Sequence, residues 1–96
     1  MNDIILVETN PLYNKLFHFG LEKVAKAIEL PHRPLFSGNP AYKVNSVRTS
    51  AGVSLTVTFD ADIKVLDGEV QNVVFTVVYQ SWRNLMLLQN YEINLE

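Results

Sequence analysis

Few residues in this chain could do chemistry. His32 and Arg33 lie between Pro31 and Pro34, and a proline on each side stiffens a loop that can hold a cation toward a carboxylate or phosphate. Lys43 and Arg48 would join them if the following strand returns alongside. These four form a candidate site for an anionic small molecule or nucleic acid across the basic 32–48 segment, the alternative reading of function, with a solvated turn as the simpler use of the same residues. Asp60 and Asp62 are two apart in a strand-like stretch, about 7 Å along a strand from the rise per residue, a spacing open to a hard cation or an acid and base pair. Lys64 follows on the same face, so charges that discourage strand-to-strand association are the simpler reading. His18, between Phe17 and Phe19, reads as a partly buried imidazole with a hydrogen-bonding neighbour.

The absence of cysteine removes disulfides, thiolate metal sites and a cysteine nucleophile. Gly20, Gly38, Gly52 and Gly68 are too scattered to cradle a phosphate, and no nucleophile elbow, His-x-x-x-His pair or calcium loop occurs. No catalytic residue, metal ligand or cofactor is therefore expected. A nucleic-acid partner is not expected either, since such domains carry a basic surface and this chain has a net charge of −2 and an isoelectric point of about 5.6. The balance is uneven: residues 1–14 carry −2, residues 15–48 carry +4 and residues 49–96 carry −4. Blocks of this kind are ordinarily solvated faces.

The elements that position these residues follow from periodicity. Asn10-Pro11 is a helix start, an amide cap before the residue whose fixed φ suits the first helical position. Apolar residues then recur at Leu12, Leu16, Phe19, Val24, Ala27 and Ile28, widened by Tyr13, Phe17 and Leu21, which predicts an amphipathic helix ending at about Leu30 before Pro31. Leu30 to Tyr42 reads as a loop. Tyr42 to Arg48 reads as a short strand. From Val53 to Val65 odd positions are apolar and even ones polar without a break, the pattern of a strand with one face on a core and one in water. Val70 to Gln80 is a second such strand.

Gly68 selects the register between those two. A loop of Leu66, Asp67 and Gly68, with glycine in the left-handed position, sets Val65 against Glu69, Phe59 against Phe75, Val57 against Val77 and Leu55 against Tyr79. A two-residue Asp67-Gly68 turn would scatter the apolar face. Ser81 to Gln89 reads slightly better as a short helix capped by Ser81 than as a hairpin turning at Arg83-Asn84, and Tyr91, Ile93 and Leu95 alternate as a last strand. The expectation is a single α+β domain over residues 1–96, one N-terminal amphipathic helix on a mainly antiparallel sheet of about four strands. In outline this resembles cystatin-like and related helix-on-sheet folds. Such folds host inhibitors, ligand binders and enzymes alike, so no site residue is carried over from the resemblance.

With 48% hydrophobic residues, apolar supply exceeds what one helix on one sheet face can hide. Val74 and Val78 fall on the far side of their strand. The expected function is accordingly a non-catalytic interaction or assembly module, its partners a second copy of itself or another protein. The surface is the Val73 to Val78 strand, the Trp82 to Leu88 segment or the Ile4 to Val7 edge, and the expected interface residues are Val74, Val78, Trp82, Leu85, Met86 and Tyr91. No membrane span is expected. Asp3 stands where a secretory leader needs a cation, so a cytoplasmic location is the default expectation.

Overall fold

The computed structural model describes residues 11–30, 33–65 and 68–94; Asn10, the Ile4 to Val7 edge and His32 lie outside them. Helix α1 (Pro11–Ala27) is followed by strands β1 (Leu35–Thr49), β2 (Gly52–Lys64), β3 (Val70–Gln80) and β4 (Leu85–Asn94). The strands form one antiparallel meander in the order β1-β2-β3-β4, with α1 packed on one face. The protein is an α+β domain.

The unbroken alternation of β2 sends Val57, Phe59, Ala61 and Ile63 into the core, where Val73, Phe75 and Val77 of β3 meet them. The register is that of the bulged loop, with Leu55 opposite Tyr79, Val57 opposite Val77 and Phe59 opposite Phe75. Gly68 has φ +75°, and the Val65 amide donates to the Glu69 carbonyl at 2.8 Å, closing the hairpin. At the centre, the Phe17 ring from α1 lies 5.4 Å from that of Phe59 and 5.8 Å from that of Phe75. Tilted and edge-on pairs of this kind add to the burial of the rings themselves.

The inward stripe of α1 is Leu16, Phe17, Gly20, Leu21, Val24 and Ala25, rotated from the expected one. Phe19 falls to the rim with the Lys23 ammonium 5.6 Å from its ring centre, and Ala27 is exposed. The rotation centres on Gly20. A methyl group built there would sit 2.8 Å from Val77 Cγ2 and closer still to the Phe75 ring, so the helix backbone rests directly on the sheet.

The helix ends before Leu30. The Leu30 amide donates to the Ala25 carbonyl at 3.0 Å and the Glu29 amide to the Lys26 carbonyl at 3.1 Å, while Glu29 takes φ +57°. This is a Schellman ending with a glutamate where glycine is favoured. A left-handed L-residue costs about 1–2 kcal/mol, partly offset by the chain entropy of glycine. Glu29→Gly is expected to stabilise the domain by about 1 kcal/mol and raise its Tm by about 4–8 °C. Thermal unfolding followed by circular dichroism checks this; a fall in Tm would contradict it.

Two segments differ from their expected form. The stretch read as a loop as far as Tyr42 joins the sheet from Leu35, because Gly38 (φ +71°), Asn39 and Pro40 are accommodated as an irregularity between the Ser37–Asp62 and Ala41–Asp60 pairs. A proline is tolerated there because β1 is an edge strand. The short helix over Ser81 to Gln89 does not form: Ser81–Asn84 are a turn and Leu85 begins β4. Asn84 adopts φ +54°, and the turn is held by the Val53 amide donating to Ser81 Oγ at 2.8 Å and by the Ser81 amide donating to the Val53 carbonyl at 2.9 Å. Four apolar residues, Leu85 to Leu88, can satisfy two faces of a strand as well as one side of a helix. Pairing with β3 decides between them.

Beside α1, the Tyr13 and Tyr42 rings lie 5.3 Å apart. Burial, with the Tyr13 phenol as a second cause, holds the Tyr42 hydroxyl above the usual tyrosine range. A raised value favours the neutral phenol in the folded chain, so this contribution is present below about pH 10 and is lost as pH rises through the folded value. Ultraviolet titration should show one tyrosine ionising after the rest, and Tyr42→Phe should remove that late step.

Candidate functional site

Side chains of a strand alternate between faces, so the pairing that buries Phe59 and Phe75 under α1 turns Thr58, Thr76 and their row-mates the other way. This second face carries no covering element among the described residues. It has two halves. Toward the β2–β3 loop it is polar and acidic. Asn72 Nδ2 donates to Asp60 Oδ1 at 2.6 Å and to Asp62 Oδ1 at 3.0 Å, and Asn94 Nδ2 donates to Asn72 Oδ1 at 2.8 Å. In the middle, Thr58 Oγ1 and Thr76 Oγ1 share a hydrogen bond at 3.0 Å.

Asp60 and Asp62 therefore sit on open surface, held by one carboxamide that links β2 to β3 and, through Asn94, to β4. No group of three or more His, Asp or Glu close enough to hold a metal ion occurs among the described residues. Asn72→Asp would set a third carboxylate between two others. Cross-strand like charges and the lost donor should lower stability by roughly 1 kcal/mol at neutral pH. The repulsion requires ionised carboxylates, so the deficit should vanish as pH falls below the carboxylate range and shrink in salt. Urea unfolding at pH 7 and in acid checks this.

The other half alternates apolar and uncharged polar side chains. Val78 of β3 stands opposite Leu87 of β4 and Thr56 of β2, and in the next row of the same face Gln80 stands opposite Leu85 and Ser54, itself paired with Val47 of β1. Leu87 is 50% exposed and Val47 is 54% exposed. The polar side chains in these two rows, Asn45, Ser54, Thr56 and Gln80, are uncharged, and Lys43 follows Asn45 on the same face of β1. The acidic row of Asp60, Val74 and Glu92 is four residues along the strands from Val78, roughly 13 Å at the strand rise.

The six expected interface residues divide among three places. Val74, Val78 and Leu85 lie on the open face, Val74 in its acidic half between Asp60 and Glu92. Met86, opposite Tyr79, and Tyr91, opposite Phe75, face the helix side. Trp82 is in the β3–β4 turn, 47% exposed with the Arg83 guanidinium 4.4 Å from its ring centre. Val47 and Leu87 belong with Val78 and Leu85 and were not singled out from the sequence. Their signal is a break of phase: Val44 and Val47 are three apart on one strand, and Leu85 to Leu88 are consecutive, so each set must supply both faces. A shift of pairing between Thr76 and Val77 leaves Gln89 opposite no residue of β3. That bulge lets Leu85 and Leu87 face outward while Tyr91 and Ile93, also odd, face the helix side.

The expected anion-binding residues are not brought together. Arg33 lies before β1, Lys43 is on the open face opposite Thr58, and Arg48 is opposite Val53 on the helix side at the far end of β1; His32 is outside the described residues. His18 is exposed rather than partly buried, its ring 5.4 Å from that of Phe17 and 6.1 Å from that of Phe36. Among the described residues no helix is long and apolar enough to cross a membrane.

Fold and surface together define a helix-backed antiparallel sheet with one face buried at its centre under α1 and one face that no described element covers. No family model, curated protein or solved structure matches the chain.

Proposed function

We propose that the protein is a non-catalytic assembly module that pairs with a second copy of itself through the open face of its sheet. The observation that carries this reading is the less charged half of that face, where Val78, Leu85 and Leu87 adjoin on β3 and β4 and Val47 stands on β1 beyond Ser54 and Thr56, with nothing laid over them by the described chain. A two-fold interface must be complementary to itself. Apolar side chains interleaved with uncharged Asn, Ser, Thr and Gln, with Lys43 at one border, meet that condition. With the two-fold axis through the Val78 and Leu87 end, the acidic halves of the two copies point away from each other, which avoids like-charge contact. The same chemistry would serve a different protein partner, and the oligomeric state separates the two. Light scattering from low to high micromolar concentration is expected to show a monomer giving way to a dimer; a strict monomer throughout would overturn self-association.

A further inference from the structure

We infer that the β3–β4 turn completes the two-fold interface, the Arg83 guanidinium of each copy reaching the acidic row of Asp60 and Glu92 on the other. This rests on the assembly reading above and adds to it a charged contact that fixes how the two sheets overlap.

Two open faces meet about a two-fold axis that lies between the sheets, either along the strands or across them. An axis along the strands would set acidic row on acidic row, a like-charge contact. An axis across the strands at Val78 lays each strand antiparallel over its own copy, so that a row on one side of the axis meets the row equally far on the other side. The row of Asp60, Val74 and Glu92 is four residues from Val78 toward the β2–β3 loop. Trp82 is four residues from Val78 in the opposite direction, in the turn that joins β3 to β4. The turn of one copy therefore falls on the acidic row of the other. Packed sheets cross at about 30°, which over about 13 Å shifts the turn sideways by roughly one or two strands. The row carries a carboxylate on β2 and another on β4, to either side of Val74, so one stays within reach of a long side chain. Lys43, in the row of Thr58 and Thr76, falls on the uncharged row of Ser54 and Gln80.

Arg83 is the only charged residue between Glu69 and Glu92, and it is exposed. Its guanidinium stands 4.4 Å from the Trp82 ring centre, and an arginine stacked by its face keeps the N–H groups of its edge for a carboxylate. The Ser81 ties to Val53 at 2.8 and 2.9 Å hold the turn in place. Within one chain the acidic row is about 26 Å from Trp82 at the strand rise, beyond the reach of Arg83, so the pair can form only between copies.

Sedimentation equilibrium on charge-reversed chains, alone and mixed, tests the contact. Arg83→Glu alone, and the Asp60→Lys, Glu92→Lys double variant alone, should each associate about tenfold more weakly than the wild type. An equal mixture of the two should form a heterodimer about as tight as the wild-type dimer, because one contact is then reversed as a pair and the other is native. Lys64→Glu makes the same change of charge at the far end of the sheet, opposite Leu35, and should leave the dimer unchanged. All four positions are exposed, so the variants should stay folded. Undiminished dimerisation of Arg83→Glu, equal weakening by Lys64→Glu, no recovery in the mixture, or species larger than a dimer there would each overturn the contact while a wild-type dimer still stands. A wild type that stays monomeric at every concentration would overturn both the contact and the dimer.

Discussion

Replacing Gly20 by alanine is expected to destabilise the domain by about 2 kcal/mol, although alanine is the better helix former by about 1 kcal/mol. The added methyl has no room: it would stand 2.8 Å from Val77 Cγ2 and nearer still to the Phe75 ring, both fully buried. The ring cannot swing away, because Phe17 and Phe59 flank it with centroids 5.8 and 5.3 Å distant. The helix must lift instead, and overpacking of a dense core costs about 1–3 kcal/mol, occasionally more. Against a total stability of about 5–15 kcal/mol, Gly20→Val should leave little folded protein. A double-mutant cycle with Phe75→Leu isolates the contact: the smaller side chain should cost less in the Gly20→Ala background than in the wild type. Purely additive losses, or a Gly20→Ala variant more stable than the wild type, would show that the helix does not rest on the sheet at this point.

That contact marks how far the fold could be read in the chain. The thirteen residues from Val53 to Val65 announce β2 because one face is buried and the other wet, and Gly68 then fixes the partner strand, since only the bulged loop aligns Phe59 with Phe75. Helix α1 is equally plain in outline. Its rotation is not, because a glycine that seats a helix on a sheet has no hydropathy signal of its own; the large residue it accommodates, Phe75, is 55 positions away. The two bulged strands were obscured for a related reason. Gly38, Asn39 and Pro40 are loop formers by local propensity, yet pairing on either side absorbs them. Gln89 shifts the phase of β4, so Leu85 to Leu88 and Tyr91 to Ile93 resemble two elements. The open face inherits that difficulty: Val78 is legible from its own strand, whereas Leu87 becomes its neighbour, and Val47 joins the same face beyond Ser54, only through register.

Leu87→Asp is expected to weaken self-association at least a hundredfold, about 2.7 kcal/mol. The two-fold arrangement places the substitution in the interface twice, and each new carboxylate would lose water beside Val78 and Leu85 without a partner. Val78→Asp should act in the same sense. The monomer itself should lose little stability through the Leu87 change, since that side chain is half exposed on an edge strand and surface substitutions ordinarily stay within about 0.5 kcal/mol. Leu35→Asp is the control: Leu35 is 58% exposed but paired with Lys64 at the other end of the sheet, so its replacement should leave the dimer intact. Sedimentation velocity on the three variants distinguishes a defined patch from general stickiness. Equal effects of Leu35→Asp and Leu87→Asp would favour the latter.

Solvent exposure of individual methyl groups, read by a soluble paramagnetic agent across a dilution series, is the most direct measurement of an assembly face on this sheet. At low concentration the methyls of Val47, Val78, Leu85 and Leu87 should be broadened and those of Val57 and Val77 under the helix should not. On raising the concentration the first group should become protected while the second stays unchanged. Methyls of the first group that remain equally broadened at every concentration would contradict self-association through this face.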